Sequence, residues 1–254
     1  MKLTQNDLSF LNEKAEFIRK NLLEVCIKNG AGHIAPSLST VEILVLLYYK
    51  IMNITENPFF ENRDRLIFSK SHGSYALYSI LSDKGYIPDK EWRNFYKGSS
   101  LSGCAERNVS MGIEAGCGSL GHGLPISAGI AHAAKLLKKD YKVFCIIGDG
   151  EMQEGTTWET LIYSAKHNLD NLTLIIDRNR LQALDFITNI LDKDNEALIS
   201  RLKGFGLDVR VCDGHSFEAL HEAITLQSES VKAIVANTVK GKGLKCMENI
   251  PKFH

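Results

Sequence analysis

The sequence predicts an α/β fold in which a parallel sheet is covered by helices on both faces. Short aliphatic or β-branched runs alternate with longer segments of helical periodicity along most of the chain, which is the pattern of strand-helix-strand units. The chain has 254 residues, of which 44% are apolar and 24% charged, enough for one substantial core. We find no repeat, low-complexity tract or linker, so a single domain spanning residues 1–254 is predicted.

The first two elements are predicted to be helices. Apolar residues recur at helical spacing over 4–27, Thr4 and Asp7 form a helix-start signature, and Asn29-Gly30 marks the end. The segment 40–51 is too continuously apolar for a surface helix, so we expect it to be buried or at an interface.

The remaining elements are predicted from the alternation of patterns. The strands are 65–68, 142–147, 172–176, 207–211 and 233–239. The helices between them lie near 74–83, 123–138, 154–168, 194–203 and 216–228. Because ligands of an open parallel sheet bind outside the carboxyl ends of the strands, the segments that follow each strand are the candidate functional ones.

Composition restricts the kinds of partner. Thirty basic residues balance thirty acidic ones, and no basic run indicates binding to nucleic acid or to an anionic membrane. No apolar run approaches the length of a bilayer span, no N-terminal stretch has the pattern of a cleaved leader, and the six cysteines form no CxxC pair. These features predict a small-molecule ligand, a cytoplasmic location and reduced thiols.

The stretch GDGEMQEG at 148–155 follows the apolar run VFCII and carries the first chemical signal. Gly148 and Gly150 let the backbone turn sharply and let a ligand approach closely, and the next helix offers unpaired N–H groups to an anion. Asp149 would repel a phosphate, but a divalent cation such as Mg²⁺ between the two removes the conflict. Glu151, just behind, is expected to be solvated.

Asn179 supplies the second signal, thirty residues after Asp149 and just beyond the predicted strand 172–176. Its amide oxygen is expected at the end of the neighbouring parallel strand, within reach of the same cation. The GDG tripeptide alone is common turn chemistry. Together with a strand-terminal asparagine it is a stronger indication of cation-assisted phosphate binding.

This pairing resembles the thiamine diphosphate motif, and the wider sequence resembles the transketolase family. The resemblance covers nearly the whole chain, in five blocks that follow the family's order. They are GAGHIAPSLSTVEIL near the start, DRLIFSKSHGSYALYSIL at 64–81, GSLGHGLPISAGIAHA at 118–133, the GDGEMQEGTTWE to DRNRLQ stretch, and VKGKGLKCMEN at 239–249.

The resemblance implies a thiamine diphosphate-binding fold, here its diphosphate-binding domain, and a specific metal site. Asp149, Asn179 and the backbone carbonyl of Leu181 would hold Mg²⁺, which would bridge to the cofactor diphosphate. Gly150 would supply a backbone amide to that diphosphate.

The resemblance also implies residues at the reacting end of the site. His33 and His72 match histidines that contact cofactor phosphate and the hydroxyls of the sugar donor, and both are candidate catalytic residues. His254 matches a further histidine of the family with the same candidate role. Gly118 and Leu120 would contact the aminopyrimidine or thiazolium region of the cofactor, mainly through their backbones.

A partner chain is implied as well. In the family, the glutamate that activates the aminopyrimidine lies in a second, pyrimidine-binding domain, which this sequence does not contain. We therefore expect a split transketolase, in which a C-terminal subunit carries that domain and two copies of each chain assemble. Glu154 is placed at the cofactor site and, with Glu159, in a carboxylate network at the subunit interface, although both could be ordinary first-turn acids.

The implied reaction is ketol transfer from a ketose phosphate to an aldose, but three departures from the family pattern stand out. Cys104 replaces a cofactor-proximal histidine, Cys117 replaces a threonine, and 183–185 reads Ala-Leu-Asp where Asp-Gly is usual. They indicate either an unusual sugar or ketoacid substrate, or neutral drift. The alternatives are a component of another thiamine-dependent ketoacid-processing enzyme and a non-catalytic assembly protein.

Overall fold

The computed structural model describes residues 2–183, 185–190 and 195–253, and its centre is a five-stranded parallel sheet. The strands are β1 Arg65–Phe68, β2 Val143–Gly148, β3 Leu172–Arg178, β4 Asp208–Asp213 and β5 Lys232–Asn237. They lie in the order β1-β2-β3-β5-β4, with every neighbouring pair parallel. All five predicted strands are present, and the predicted α/β fold is confirmed.

Much of the remaining chain is helical. The helices are α1 Gln5–Asn29, α2 Ile34–Leu38, α3 Val41–Leu46, α4 Ser74–Asp83, α5 Asp89–Arg93, α6 Gly123–Leu136, α7 Gly155–Lys166, α8 Ile187–Ile190, α9 Asn195–Gly204 and α10 Phe217–Thr225. Thr4 caps α1 through the predicted box with Asp7, and Gly30 ends it in the left-handed conformation. Within the described residues, no helix is both long and apolar enough to span a bilayer.

Two apolar clusters lie on opposite faces of the sheet. One packs Phe144 and Ile146 of β2 against α1, α3, α4 and α10. The other packs the alternate β2 residues, including Cys145 and Ile147, against α6, α7 and α9. Since successive strand side chains point to opposite faces, the sheet is buried on both sides, as predicted.

The apolar segment 40–51 lies in the first of these clusters. Residues Val41 to Leu47 are buried, and α3 contacts α1, α4 and α10. One turn with wider π-type hydrogen bonding, Leu47–Ile51, follows α3. The segment is therefore a core helix. Of the two locations that its sequence left open, the core and an interface, the structure shows the core.

A buried ion pair lies beneath the carboxyl ends of the strands. Lys70, two residues beyond β1, pairs with Asp177 of β3, and both are almost fully buried. The Asp177 carboxylate also accepts hydrogen bonds from Ser39 at 2.8 Å and from Thr238 beyond β5. Burial alone would raise the pKa of Asp177, but Lys70 and these hydroxyls hold that pKa below its usual value. The pair ties three strand ends and the segment after α2 together.

Replacing Lys70 by Met tests this tie. The Lys70→Met variant leaves Asp177 buried without its cation, so the free energy of unfolding is expected to fall by about 3–5 kcal/mol. Urea denaturation monitored by circular dichroism measures the change. Lys20→Met, which removes an exposed pair with Glu16 on α1, is the matched control and should leave the urea midpoint nearly unchanged. Equal midpoints for the two variants would contradict the role given to the buried pair.

The N-terminus of α6 packs tightly against the segment that follows β1. A Cβ added at Gly123 would lie 2.9 Å from the Ser69 Cα and closer still to the Ser69 side chain, whereas a Cβ at Gly129 of the same helix would meet nothing within 4 Å. The Gly123 amide also donates to the Ser69 hydroxyl at 3.1 Å. Only glycine fits at position 123.

These two glycines give opposite expectations for one substitution. Gly123→Ala should lower the free energy of unfolding by about 1–3 kcal/mol because it overpacks the contact with Ser69. Gly129→Ala should raise it by about 0.5–1 kcal/mol because it removes a flexible residue from a helix interior. Thermal and urea unfolding of the two variants check the signs, and destabilisation by both would refute the packing argument.

Candidate cofactor site

A cavity of about 440 Å³ opens at the carboxyl edge of the sheet. Its walls come from the segments that follow β1, β2, β3 and β5, together with residues between Cys104 and Leu120. Most of the sequence-predicted site residues line it, namely His72, Gly118, Leu120, Asp149, Gly150, Glu154, Asn179 and Leu181. A volume of this size suits a cofactor or a drug-sized ligand.

One predicted histidine of the described residues, His33, is not among those that line the cavity. His33 lies just before α2, and its ring centroid is 6.3 Å from that of His72, in an edge-on arrangement. It therefore flanks the cavity at the side where His72 lines it. His254 lies outside the described residues.

Asp149 and Asn179 lie at the ends of neighbouring strands, as the pairing of motifs predicted. Gly148 at the end of β2 is in register with Asp177 of β3. The Asp149 carboxylate accepts the backbone amide of Gly150 at 3.0 Å and that of Arg180 at 2.6 Å. Arg180 reaches this position with φ of 66°, a left-handed conformation that few non-glycine residues adopt.

The environment of Asp149 disfavours the charged form of its carboxylate. It is 2% exposed, and burial, with a smaller effect from the Asp177 charge, raises the pKa of Asp149 to about 7. The Arg180 amide, Arg178 and Lys70 oppose that rise but do not cancel it. The charges around the buried carboxylate therefore leave it undercompensated, and a divalent cation would supply the missing positive charge.

Other oxygen atoms at this edge suit the same cation. The Asn179 side chain donates to Asp177 at 3.1 Å, and its Oδ1 accepts the amide of Leu181 at 3.1 Å. No group of three or more His, Cys, Asp or Glu side chains within the described ranges could hold a metal ion by itself. Acid, amide and carbonyl oxygens are the ligands that Mg²⁺ takes beside phosphate oxygens and water, so these residues fit a cation bound together with an anionic ligand.

The glycines leave the floor of the cavity open. A Cβ at Gly118 would come no closer than 4.0 Å to another side chain, and one at Gly148 no closer than 3.9 Å, so both positions keep space that a side chain would fill. At Gly150 a Cβ would lie 3.0 Å from that of Gln182, which makes the turn too tight for a larger residue. This open, glycine-lined floor fits the close approach of a diphosphate.

Lys240 is a functional candidate that sequence reasoning missed. It lines the cavity with Lys70 and is 1% exposed. Burial lowers the pKa of Lys240 to about 8, with Lys70 acting in the same direction and the Asp177 and Asp149 charges opposing it. The sequence did contain a signal for it. Lys240 lies in the VKGKG block just beyond the predicted strand 233–239, a position that places its ammonium group at the carboxyl edge of the sheet.

The prediction that Glu151 is solvated was wrong. A turn of 3₁₀ helix, Gly150–Gln153, precedes α7 and places the Glu151 side chain beneath the end of β2, where it is 2% exposed. Its carboxylate accepts the Ser69 hydroxyl, the Gly121 amide at 2.8 Å and the Gly148 amide at 3.4 Å. Burial raises the pKa of Glu151, and these donors lower it. Glu151 therefore joins the GSLGHG segment to the ends of β1 and β2.

Glu154 lies at the rim of the cavity and Glu159 lies in a separate groove, and both are exposed. Glu154 lines the cavity immediately before α7. Glu159, one turn into α7, borders a shallow groove between α6 and α7 with Pro125 and Tyr163. Both side chains are therefore available to a second chain.

The departures from the family pattern also lie at the cavity. Cys104, Cys117 and Ala183 line it, whereas Leu184 lies outside the described residues. Burial raises the pKa of both cysteines, that of Cys117 to about 11. Each is therefore a neutral thiol at physiological pH, where the family pattern has a histidine and a threonine.

Comparisons with known proteins agree with this geometry. The family model for the transketolase thiamine diphosphate binding domain matches residues 11–254. One of the subunits of the apulose-4-phosphate transketolase of Phocaeicola vulgatus is 38% identical over 96% of this chain and 88% of its own length. A 6-deoxy-6-sulfo-D-fructose transketolase subunit of a Clostridium species is 35% identical over 94% of this chain and 88% of its own.

Full-length transketolases match over a smaller share of their length. The human enzyme is 32% identical over 98% of this chain, which spans 40% of that relative. The crystal structure of the Campylobacter jejuni transketolase superposes with a TM-score of 0.88 at 30% identity, over 97% of this chain and 40% of that one. The cofactor of these enzymes is thiamine diphosphate with a divalent metal ion. The chain belongs to the transketolase family, and the region matched is its thiamine diphosphate binding domain.

Proposed function

We propose that this chain is the diphosphate-binding half of a two-subunit transketolase-like enzyme. It would transfer a ketol unit from a ketose phosphate to an aldose acceptor with thiamine diphosphate and Mg²⁺. The observation that carries the proposal is the buried, undercompensated Asp149 carboxylate, which lies in one cavity with two lysines and a glycine-lined floor. That combination suits a cation and a diphosphate bound together.

The ligand assignments follow from the charges in the cavity. Asp149, Asn179 and the Leu181 carbonyl are the proposed Mg²⁺ ligands. Gly150 and the Lys240 ammonium group are assigned to the diphosphate, whose charge the lysine would partly neutralise. Lys70 is paired with Asp177, so it would act on the diphosphate mainly through its electrostatic field.

The reacting end of the cofactor is proposed to lie toward His72, His33, Gly118 and Leu120. Bound thiamine diphosphate supplies an electron sink for the carbanion formed on breaking the donor's carbon-carbon bond. The imidazoles of His33 and His72 would hydrogen-bond the donor's hydroxyls and hold it in place. Leu120, more than a third exposed, would cover the cofactor rings and exclude water. His254 keeps its candidate catalytic role as a prediction.

The activating glutamate is proposed to come from a partner chain that carries the pyrimidine-binding domain. Glu154 and Glu159 are exposed at the rim of the cavity and in the groove between α6 and α7. Exposed apolar side chains of the same two helices, Ile126, Ile162 and Tyr163, form a surface that a second chain would cover. Relatives that are named as single subunits of a transketolase support a hetero-oligomer, for which two copies of each chain are proposed.

The relatives that are subunits are named for apulose-4-phosphate and for 6-deoxy-6-sulfo-D-fructose, and these two substrates differ from one another. Cys104 and Cys117 present neutral thiols where the sugar hydroxyls are expected, so this chain is proposed to take a sugar phosphate outside the common set. The cytoplasm is the proposed location.

The assembled enzyme and the separate chain should behave differently. The chain with thiamine diphosphate, Mg²⁺, a ketose phosphate and an aldose phosphate is expected to show no turnover, because the aminopyrimidine has no carboxylic acid partner. Addition of the matching pyrimidine-domain chain should give transfer, measured as aldose consumption by coupled assay. Turnover by the single chain would refute the proposed division of the site between two chains.

Asp149→Asn tests the cation site directly. The amide keeps the shape of the side chain and can accept the Arg180 amide, but it lacks the negative charge that attracts Mg²⁺. Mg²⁺-dependent binding of thiamine diphosphate by the assembled complex, measured by calorimetry, is expected to weaken roughly a hundredfold or more, beyond the cost of losing an outer-sphere contact.

The stability of the same variant gives a second readout. Because the Asp149 pKa is raised in the folded chain, the folded state loses stability as the pH rises from the ordinary pKa of an aspartate toward about 7, and above that pH the loss is complete and stays constant. Without cofactor, Asp149→Asn should therefore unfold at pH 8 at no lower temperature than the unmodified chain. Asp140→Ala, which removes an exposed acid from the α6–β2 connection, should leave cofactor binding unchanged. Unaltered affinity in Asp149→Asn would remove Asp149 from the metal site.

A further inference from the structure

A network of three polar side chains, Arg19, Glu42 and His215, joins α1, α3 and the turn between β4 and α10. Arg19 donates to the Glu42 carboxylate, at 2.6 Å to one oxygen and 2.7 Å to the other. His215 Nδ1 lies 2.9 Å from the same carboxylate, and these two side chains are 11% and 9% exposed. Burial raises the pKa of Glu42, but the His215 hydrogen bond and the Arg19 charge hold that pKa below its usual value. Glu42 is therefore ionised and accepts hydrogen bonds from both neighbours.

The other ring nitrogen of His215 binds the segment that follows β5. The backbone amide of Val239 donates to His215 Nε2 at 2.8 Å. Because an amide N–H can only donate, Nε2 must present its lone pair, and the proton of a neutral imidazole is then on Nδ1. That proton faces the Glu42 carboxylate. His215 is thus a donor on one side of its ring and an acceptor on the other.

The turn that carries His215 is fixed against the end of β5. The Gly214 amide donates to the Asn237 carbonyl at 2.8 Å. A Cβ at Gly214 would clash with the Thr238 methyl group and lie 3.0 Å from the Asn237 carbonyl oxygen. The two backbones therefore approach as closely as a glycine allows, and the imidazole is presented to Val239 from a well-defined position.

Lys240 lies in a short segment that this network holds at both ends. The Val239 amide, just before Lys240, donates to His215, and the Lys242 carbonyl, two residues after it, accepts Arg19 Nε at 3.3 Å. Lys240 itself is 1% exposed and lines the cavity. Because the histidine and the arginine share one carboxylate, both ends of the segment are referred to the same buried point.

We propose that His215 is a positioning residue for Lys240, since its neutral imidazole, oriented by Glu42, holds the Val239 amide and with it the start of the lysine's segment. The functional meaning rests on the proposed function, in which Lys240 binds the cofactor diphosphate. The hydrogen bonds themselves do not depend on that function. His215 is not among the described residues that line the cavity, so it acts through the segment that it holds.

Two substitutions separate the roles of the two ring nitrogens. In His215→Asn the short side chain places its amide nitrogen near the position of Nδ1, so it still donates to Glu42 but leaves the Val239 amide without its acceptor. In His215→Gln the longer side chain places its amide oxygen near the position of Nε2, where it accepts the Val239 amide. His221→Asn is the control, because it removes a half-buried imidazole of α10 that lines a separate hollow.

Hydrogen exchange of the Val239 amide in the purified chain, followed by NMR, is the first measurement. His215→Asn is expected to speed this exchange roughly fivefold, about the population change from one lost hydrogen bond, whereas His215→Gln should keep most of the protection. His221→Asn should leave the exchange unchanged. An unaltered Val239 amide in His215→Asn would overturn the proposal, and so would equal acceleration by the asparagine and the glutamine.

The unmodified chain gives a check that needs no variant to fold. Long-range proton–nitrogen correlations of the His215 ring distinguish the two neutral tautomers from each other and from the charged ring. The contacts with Glu42 and Val239 predict a proton on Nδ1 alone near neutral pH. A proton on Nε2, in the other tautomer or in the charged ring, would exclude the Val239 hydrogen bond and with it the proposal.

Cofactor binding by the assembled complex tests the link from His215 to Lys240. His215→Asn should weaken the affinity for thiamine diphosphate roughly fivefold, measured by calorimetry. In a Lys240→Met background the same substitution should have no further effect, because the lysine through which His215 acts is gone. A full effect in that background would overturn the positioning role. If no form of the complex binds the cofactor, the proposed function fails, while the exchange and tautomer measurements still decide whether His215 holds the segment.

Discussion

Three carboxylates buried at one end of the sheet set the requirements for the rest of the structure. Asp149, Glu151 and Asp177 lie at the ends of β2 and β3 with almost no exposed surface, and an unpaired buried charge is costly. Asp177 is compensated by Lys70 and two hydroxyls, and Glu151 by one hydroxyl and two amides. Asp149 has two backbone amides. The scaffold thus compensates two of the acids internally, and the third, Asp149, is the one proposed to bind a cation.

The compensated acids also anchor the walls of the cavity through contacts within the chain. Asp177 draws together the segments that follow α2, β1 and β5, while Glu151 fixes the GSLGHG segment against the strand ends. These contacts hold the walls of the cavity from several separate parts of the chain. A preorganised site has less conformational entropy to lose on binding.

Sequence patterns predicted the sheet and the meeting of Asp149 with Asn179, because parallel strands must end at one edge and their spacing along the chain is regular. The burial of Glu151 could not be predicted in this way. It depends on a four-residue 3₁₀ turn before α7. The helical periodicity of that stretch does not distinguish such a 3₁₀ turn from the first turn of an α-helix. Lys240 was missed for a related reason, since its significance comes from contacts with residues distant in sequence. Local patterns carry no information about such partners.

The titration of Asp149 and Lys240 has a consequence for how the site exchanges protons. The pKa of Asp149 is about 7 and that of Lys240 about 8, so near neutral pH each is only partly in its charged form. A cation beside Asp149 favours its ionised form and releases a proton, while an anion beside Lys240 favours the ammonium form and takes one up. With these values the release and the uptake would balance only midway between the two pKa values, with net release below that pH and net uptake above it. Joint binding of a cation and an anion at this site would therefore be least sensitive to pH near that point.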